Sequence, residues 1–212
     1  MLNLVLLLIF FLCVAALWFQ GLWSNVVTLI NVLLAAMLAF NYFEPVAKQL
    51  EGLEPSLVYL WDFIALWGLF ALSLGLLRVV TGMLSRTRVA FNFWVETVGR
   101  SLTAIWIAWL FVGFICATIH TAPLGPHPLG FQRTPKSGTF LGLAPDRHWL
   151  GFMQSRSRGA LSRPEADAAK LSPLEQDKKA AVRIFDPESR FILKYYHRRV
   201  QFASEPDYQV SR

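Results

Sequence analysis

The chain has 212 residues, 55% of them hydrophobic and only 16% charged, with a formal net charge of +6. That balance excludes an ordinary soluble domain and fits a chain partly dissolved in lipid. The charge is unevenly placed. Residues 1–120 carry five cations (Lys48, Arg78, Arg86, Arg88, Arg100) and five anions (Glu44, Glu51, Glu54, Asp62, Glu96), so the whole excess lies in the tail. A basic tail points to anionic lipid or an acidic partner, and no recognition motif accompanies it that would favour nucleic acid.

Four apolar stretches, at residues 2–19, 26–43, 57–77 and 101–119, fill most of the first 120 positions. About 20 helical residues cross the hydrocarbon core of a bilayer. The expected fold is therefore all-α: a polytopic membrane protein with a four-transmembrane-helix bundle over 1–121 and spans near 2–19, 26–43, 57–80 and 97–120. Ala15-Ala16-Leu17-Trp18 is a poor processing site and no basic region precedes it, so the first stretch is expected to stay as a span. Cys13 follows Leu12, where a lipid-anchor cysteine needs a small residue. Cys13 and Cys116 both lie inside apolar spans and read as small packing residues, and the tail has no cysteine to staple it.

Span three carries Gly68, Gly75 and Gly82 at seven-residue intervals, a smooth stripe on a helix. Helices in lipid associate through small residues, so this stripe is expected to be a packing face, as are Ala35/Ala39, Ala104/Ala108 and Gly113/Ala117. Asp62 and His120 sit at one end of spans three and four, and Glu96 and Arg100 at the other. A hairpin register summing to 182 would pair Asp62 with His120 and Arg86 with Glu96. No ionisable residue lies deeper, and there is no HExxH, CxxC, phosphate loop or intramembrane Gly-Asp pair, so no enzyme, metal or cofactor is expected.

Lys and Arg in short loops set orientation. The segment around Arg78, Arg86, Arg88 and Arg100 outweighs the segment holding Lys48, which places 78–100 in the cytoplasm, beside anionic headgroups, and both termini outside. Residues 122–145 are punctuated by Pro and Gly and read as a linker. Pro145 and Asp146 open a short helix to about 156, presenting Trp149, Leu150, Phe152 and Met153. Residues 162–182 are polar and read as solvated or disordered. Asp186-Pro187-Glu188 then signals a helix over about 187–203. It sets Ile192, Tyr196 and Val200 on one stripe, flanked by Phe191 and Tyr195, with Arg190, Lys194 and Arg198 on a basic stripe. Such a helix lies on a membrane surface, docks a partner or packs on the bundle.

Asn3 starts span one, and the turn Trp18-Phe19-Gln20-Gly21 follows it. Span two runs into Tyr42-Phe43-Glu44-Pro45, span three leads to a basic loop, and Val98-Gly99-Arg100-Ser101 enters span four. In these features residues 1–121 resemble the colicin V production protein family (CvpA-like), multi-spanning proteins of the bacterial inner membrane. Asn3 and Gln20 stand where that family usually has an acid and an arginine, and its Gly-rich entry to span four is reduced to Gly99-Arg100. The resemblance implies a non-catalytic scaffold or accessory factor for toxin production or export and for envelope maintenance, with no cofactor. Its implied partners are the bilayer, a membrane or envelope protein, or further copies of the chain. The alternative is an oligomeric small-solute channel or transporter lined by Asn31, Ser73, Thr103 and Thr118.

Overall fold

The computed structural model describes residues 2–54, 57–85, 89, 91–124, 140–157, 185–186 and 188–204. Among them the chain is all-helical, with six helices: α1 Leu2–Trp18, α2 Leu22–Leu53, α3 Val58–Leu84, α4 Phe93–Ile119, α5 Pro145–Arg156 and α6 Phe191–Ser204. Three of these, α2, α3 and α4, are long and apolar enough to cross a membrane. The first apolar stretch forms α1, which at 17 residues is shorter. Arg86, Arg88, Pro187, residues 125–139 of the linker and the polar segment 162–182 lie outside the described residues.

The helices alternate in direction. The α1–α2 turn closes at Gly21, whose φ of 83° is the left-handed region that side chains other than glycine rarely adopt. A Cβ there would also meet the Glu96 Oε1 at 3.0 Å. The start of α1 (Leu2, Leu6) packs on the end of α4 (Val112, Cys116), and its end (Leu17) packs with Ala104 and Ile107. The start of α1 and the end of α4 therefore share one end of the bundle, where α5 and α6 also sit. The α1–α2 turn and the entry to α4 share the other.

Two boundaries differ from the sequence expectation. Residues 44–53, expected as a loop, continue α2 as helix through Pro45. Polarity ends an apolar run without ending a helix, and Pro45 costs α2 only its own N–H bond and local geometry. At the other end of the chain, α6 begins at Phe191 rather than 187, since Asp186 and Ser189 take positive φ values and cannot be helical.

The small residues divide into two groups. Ala35, Ala39, Ala104, Ala108 and Ala117 are fully buried, as expected of helix contacts. Gly113 lets α5 approach α4, with Pro145 O 3.2 Å and Trp149 Cβ 3.5 Å from where its Cβ would be. Gly68, Gly75 and Gly82 are the correction: all three are exposed, and nothing lies within 4 Å of their Cβ positions. The stripe is not a packing face within this chain. The apolar run of α3 is hydrophobic on every side, so periodicity could not say which side faces the bundle, and the buried side is Asp62, Ala65, Leu66 and Phe70.

These environments give opposite expectations. Gly68→Ala, Gly75→Ala and Gly82→Ala each relieve a helix-interior glycine without a clash and should raise stability by about 0.5 kcal/mol in detergent. Gly113→Leu places a branched side chain against the Pro145 backbone and should lower it by about 2 kcal/mol. Reversible unfolding of the purified chain measures both.

Candidate functional site: the charged cap at the tail end

The tail is not a free arm. Phe40 of α2 contacts Phe43, Phe114 of α4, Trp149 of α5, and Phe185 and Phe191 of the α6 segment, with ring centroids 5.6 to 6.2 Å apart. Phe43 in turn contacts Phe191 and Tyr195. One aromatic core therefore joins membrane helices to tail helices. The buried stripe of α6 is Phe191, Tyr195 and Arg199, one position from the expected Ile192–Tyr196–Val200 line. Ile192 and Tyr196 are half-buried and Val200 is exposed.

Local capping sets the helix in place. Asp186 accepts the backbone N–H of Arg190 at 2.7 Å and of Phe191 at 2.9 Å, satisfying donors that helix starts leave unpaired. Gln154 of α5 donates to the Asp186 carbonyl at 2.7 Å, and Ser157 accepts the Phe185 N–H at 2.9 Å. α5 and the start of the α6 segment are thereby tied to each other directly.

The basic stripe of α6 finds carboxylates on α2 and α3. Lys194 pairs with Glu44 at 2.7 Å, and Arg198 pairs with Glu51 at 2.9 Å. Arg198 also pairs with Asp62 and donates to the Val58 carbonyl. Burial disfavours the Arg198 charge, but Asp62 and the hydrogen bond to Glu51 outweigh it and hold its pKa above the ordinary value. Arg190 only meets Glu188 in solvent at 2.8 Å. The extension of α2 beyond Phe43 makes this possible, because it carries Glu44 and Glu51 out to α6.

The expected Asp62–His120 pair needs correction, while the expected Arg86–Glu96 pair falls on Arg86, outside the described residues. α3 and α4 do meet at mid-span, where Trp67 and Phe70 of α3 stand against Phe111 and Phe114 of α4. At the tail end, however, α6 supplies the partners: Arg198 takes Asp62 while its neighbour Arg199 donates to the His120 carbonyl. The His120 Nε2 lies 3.0 Å from the Asp146 Oδ2, both residues nearly fully buried. Asp146 was legible only as a first-turn acid of α5, and no spacing rule links positions 26 apart.

At the opposite end Glu96 Oε1 accepts the Leu22 N–H at 2.8 Å, so α4 caps the first turn of α2. Glu96 is thus occupied by α2, while Arg86 lies outside the described residues. Trp23 Nε1 donates to Ser85 at 2.7 Å, and Asn25 donates to the Arg100 carbonyl at 3.3 Å. The Arg100 guanidinium stands 4.6 Å from the centre of the Trp18 ring, a cation–π geometry. A Cβ on Gly99 would lie 2.7 Å from the Leu22 side chain, so that glycine admits the close crossing. Arg78 is exposed. Gln20, Trp23, Phe91 and Glu96 border a cleft of about 280 Å³ here.

Of the four polar residues considered for a channel, Ser73 is half-buried on α3, Asn31 reaches across to α3, and Thr103 and Thr118 bond within their own helix. Asn31 donates to Thr81 at 2.9 Å, Thr103 bonds back to the Gly99 carbonyl at 2.8 Å, and Thr118 to the Ile115 carbonyl at 2.9 Å. In comparison with known proteins, no family model, no curated protein and no solved structure matches this chain.

Proposed function

We propose that the chain is a membrane scaffold or accessory protein whose folded tail forms a fixed platform at one end of a four-span bundle. The observation that carries this reading is the docking of the α6 cations Lys194 and Arg198 onto Glu44, Glu51 and Asp62. Lys194 and Arg198, neutralised by the protein's own carboxylates, are not free to hold anionic lipid, so α6 acts as a shaped surface instead of an electrostatic anchor. In this reading α1 is the fourth span, paired with α4, and the arginines near 78–100 keep that end in the cytoplasm. Both termini, and the platform, then face the outside of a bacterial inner membrane.

The resemblance of residues 1–121 to colicin V production proteins supplies the biological role. The chain would support peptide-toxin production or export and envelope maintenance, by contact with another membrane or envelope protein or with further copies. The chemistry of the cap favours such contact over catalysis, since Lys194, Arg198, His120, Asp146, Glu44, Glu51 and Asp62 are engaged with one another in structural pairs. The channel alternative has less support, since Asn31 is engaged with Thr81 of α3, and Thr103 and Thr118 with their own helix backbone.

The test is toxin release by producing cells that lack this chain. Release should fall, return with the full chain, and stay low with a chain ending at residue 144, which lacks the platform. Normal release without the chain would overturn the proposal. A reporter fused after Arg212 should be active only in the outer compartment; activity in the cytoplasm would invert the topology.

A further inference from the structure

The cleft at the α1–α2 turn combines acceptor oxygens with aromatic rings. It measures about 280 Å³, roughly twenty times the space one water needs, so it admits a group of headgroup size. Glu96, Gln20 and Ser24 bring oxygens to it, and Trp23 and Phe91 bring rings. These positions are built. Glu96 Oε1 is held by the Leu22 N–H at 2.8 Å, and Gly21 leaves room for that oxygen, since a Cβ there would stand 3.0 Å from it. The Trp23 indole is fixed by its bond to Ser85 at 2.7 Å. Ser24 directs its hydroxyl proton to Gln20 Oε1 at 3.4 Å, so its own oxygen can accept. A carboxylate offers about four acceptor positions, so Glu96 can serve Leu22 and a ligand together. Arg100, one turn along α4, is turned to the Trp18 ring. A carboxylate, further acceptors and rings together select a cation that donates hydrogen bonds.

The cleft also sits at the depth of lipid headgroups. It opens where the apolar helices α2 and α4 begin, and Phe19, Phe93 and Trp94 stand exposed at that end, as rings at a membrane surface do. A primary ammonium carries three N–H donors, whereas a choline carries none. A glycerol headgroup brings no cation, and a serine headgroup adds a carboxylate that Glu96 repels. We propose that the cleft binds the ammonium of an ethanolamine phospholipid, with Glu96 as its counter-ion and Gln20 and Ser24 as further acceptors. The site is separate from the tail platform and does not rest on the toxin-support reading.

Thermal unfolding of the full chain in uncharged detergent tests this, with dioleoyl-phosphatidylethanolamine, dioleoyl-phosphatidylcholine or dioleoyl-phosphatidylglycerol added as mixed micelles. The midpoint should rise by about 3 °C with the ethanolamine lipid, saturably, and by less than about 1 °C with the other two. Native mass spectrometry should show the ethanolamine lipid retained where the choline lipid is stripped, a measurement that needs no variant. Glu96→Gln keeps an acceptor for the Leu22 N–H, so it should fold, and it should lose the preference in both readouts. Equal midpoints with the ethanolamine and choline lipids would overturn the proposal, as would greater stabilisation by the glycerol lipid. So would an unchanged preference in Glu96→Gln. The competing occupant is a cation of the adjoining loop, where Arg86 and Arg88 lie outside the described residues. In that case the wild type shows no lipid preference and Glu96→Gln lowers the midpoint equally in all three lipids, which also overturns it.

Discussion

Phe40→Ala should be among the most damaging single truncations in this chain, costing about 3 kcal/mol and releasing the tail. Phe40 is fully buried and touches rings on α2, α4, α5, α6 and the segment before α6. Loss of a core phenylalanine costs about 3–5 kcal/mol in water-soluble proteins, part transfer and part cavity. Lipid tails offer a truncated membrane helix an apolar surrounding, which shrinks the transfer share and argues for the lower value. The cavity share remains, because rings from five segments cannot all collapse into one gap. Each aromatic pair adds about 0.5–1.5 kcal/mol beyond its area, and five pairs go at once, though not additively. Two measurements check this: reversible unfolding in detergent, and proteolysis of the folded chain. Phe40→Ala should expose α5 and α6 to protease while α2–α4 stay protected. Phe11→Ala, at a ring 63% exposed on α1, should do neither.

That contrast marks what could be read from the chain. Apolar runs located the first four helices, since little else makes about 18 consecutive apolar residues stable. Pro145 with Asp146 located α5, and the capping role of Asp186 held even though the helix starts at Phe191 instead of 187. Orientation about the helix axis was harder. α3 is apolar all round, so its glycine stripe suggested a packing face that turns out to be its open one. On α6, where polar and apolar sides are distinct, the error was a single position. The pairings at the cap were not legible at all. Lys194–Glu44, Arg198–Asp62 and His120–Asp146 join elements through three dimensions, and charge ordering along the sequence carries no such distance.

Arg198→Met is the electrostatic counterpart of the Phe40 truncation, with an expected cost of about 3 kcal/mol. It strips a partner from Asp62, which is 4% exposed, and from Glu51. Removing one member of a buried pair typically costs about 3–5 kcal/mol because the other charge stays behind, dehydrated and unpaired. The Arg198 side chain keeps 23% of its surface in solvent, so water relieves part of that penalty. A second substitution separates the pair energy from the orphan penalty. In Asp62→Asn with Arg198→Met the stranded charge is gone, and stability should recover by about 2 kcal/mol over Arg198→Met alone. Lys194→Met is the control, at about 0.5 kcal/mol, since its side chain is 54% exposed and its pair with Glu44 is screened. Equal costs for Arg198→Met and Lys194→Met, with no recovery in the double variant, would show that α6 is held by its aromatic face alone. Recovery in the double variant would instead assign Asp62 the role that its burial suggests: a charge set at the mouth of α3 and matched only when the tail helix is seated.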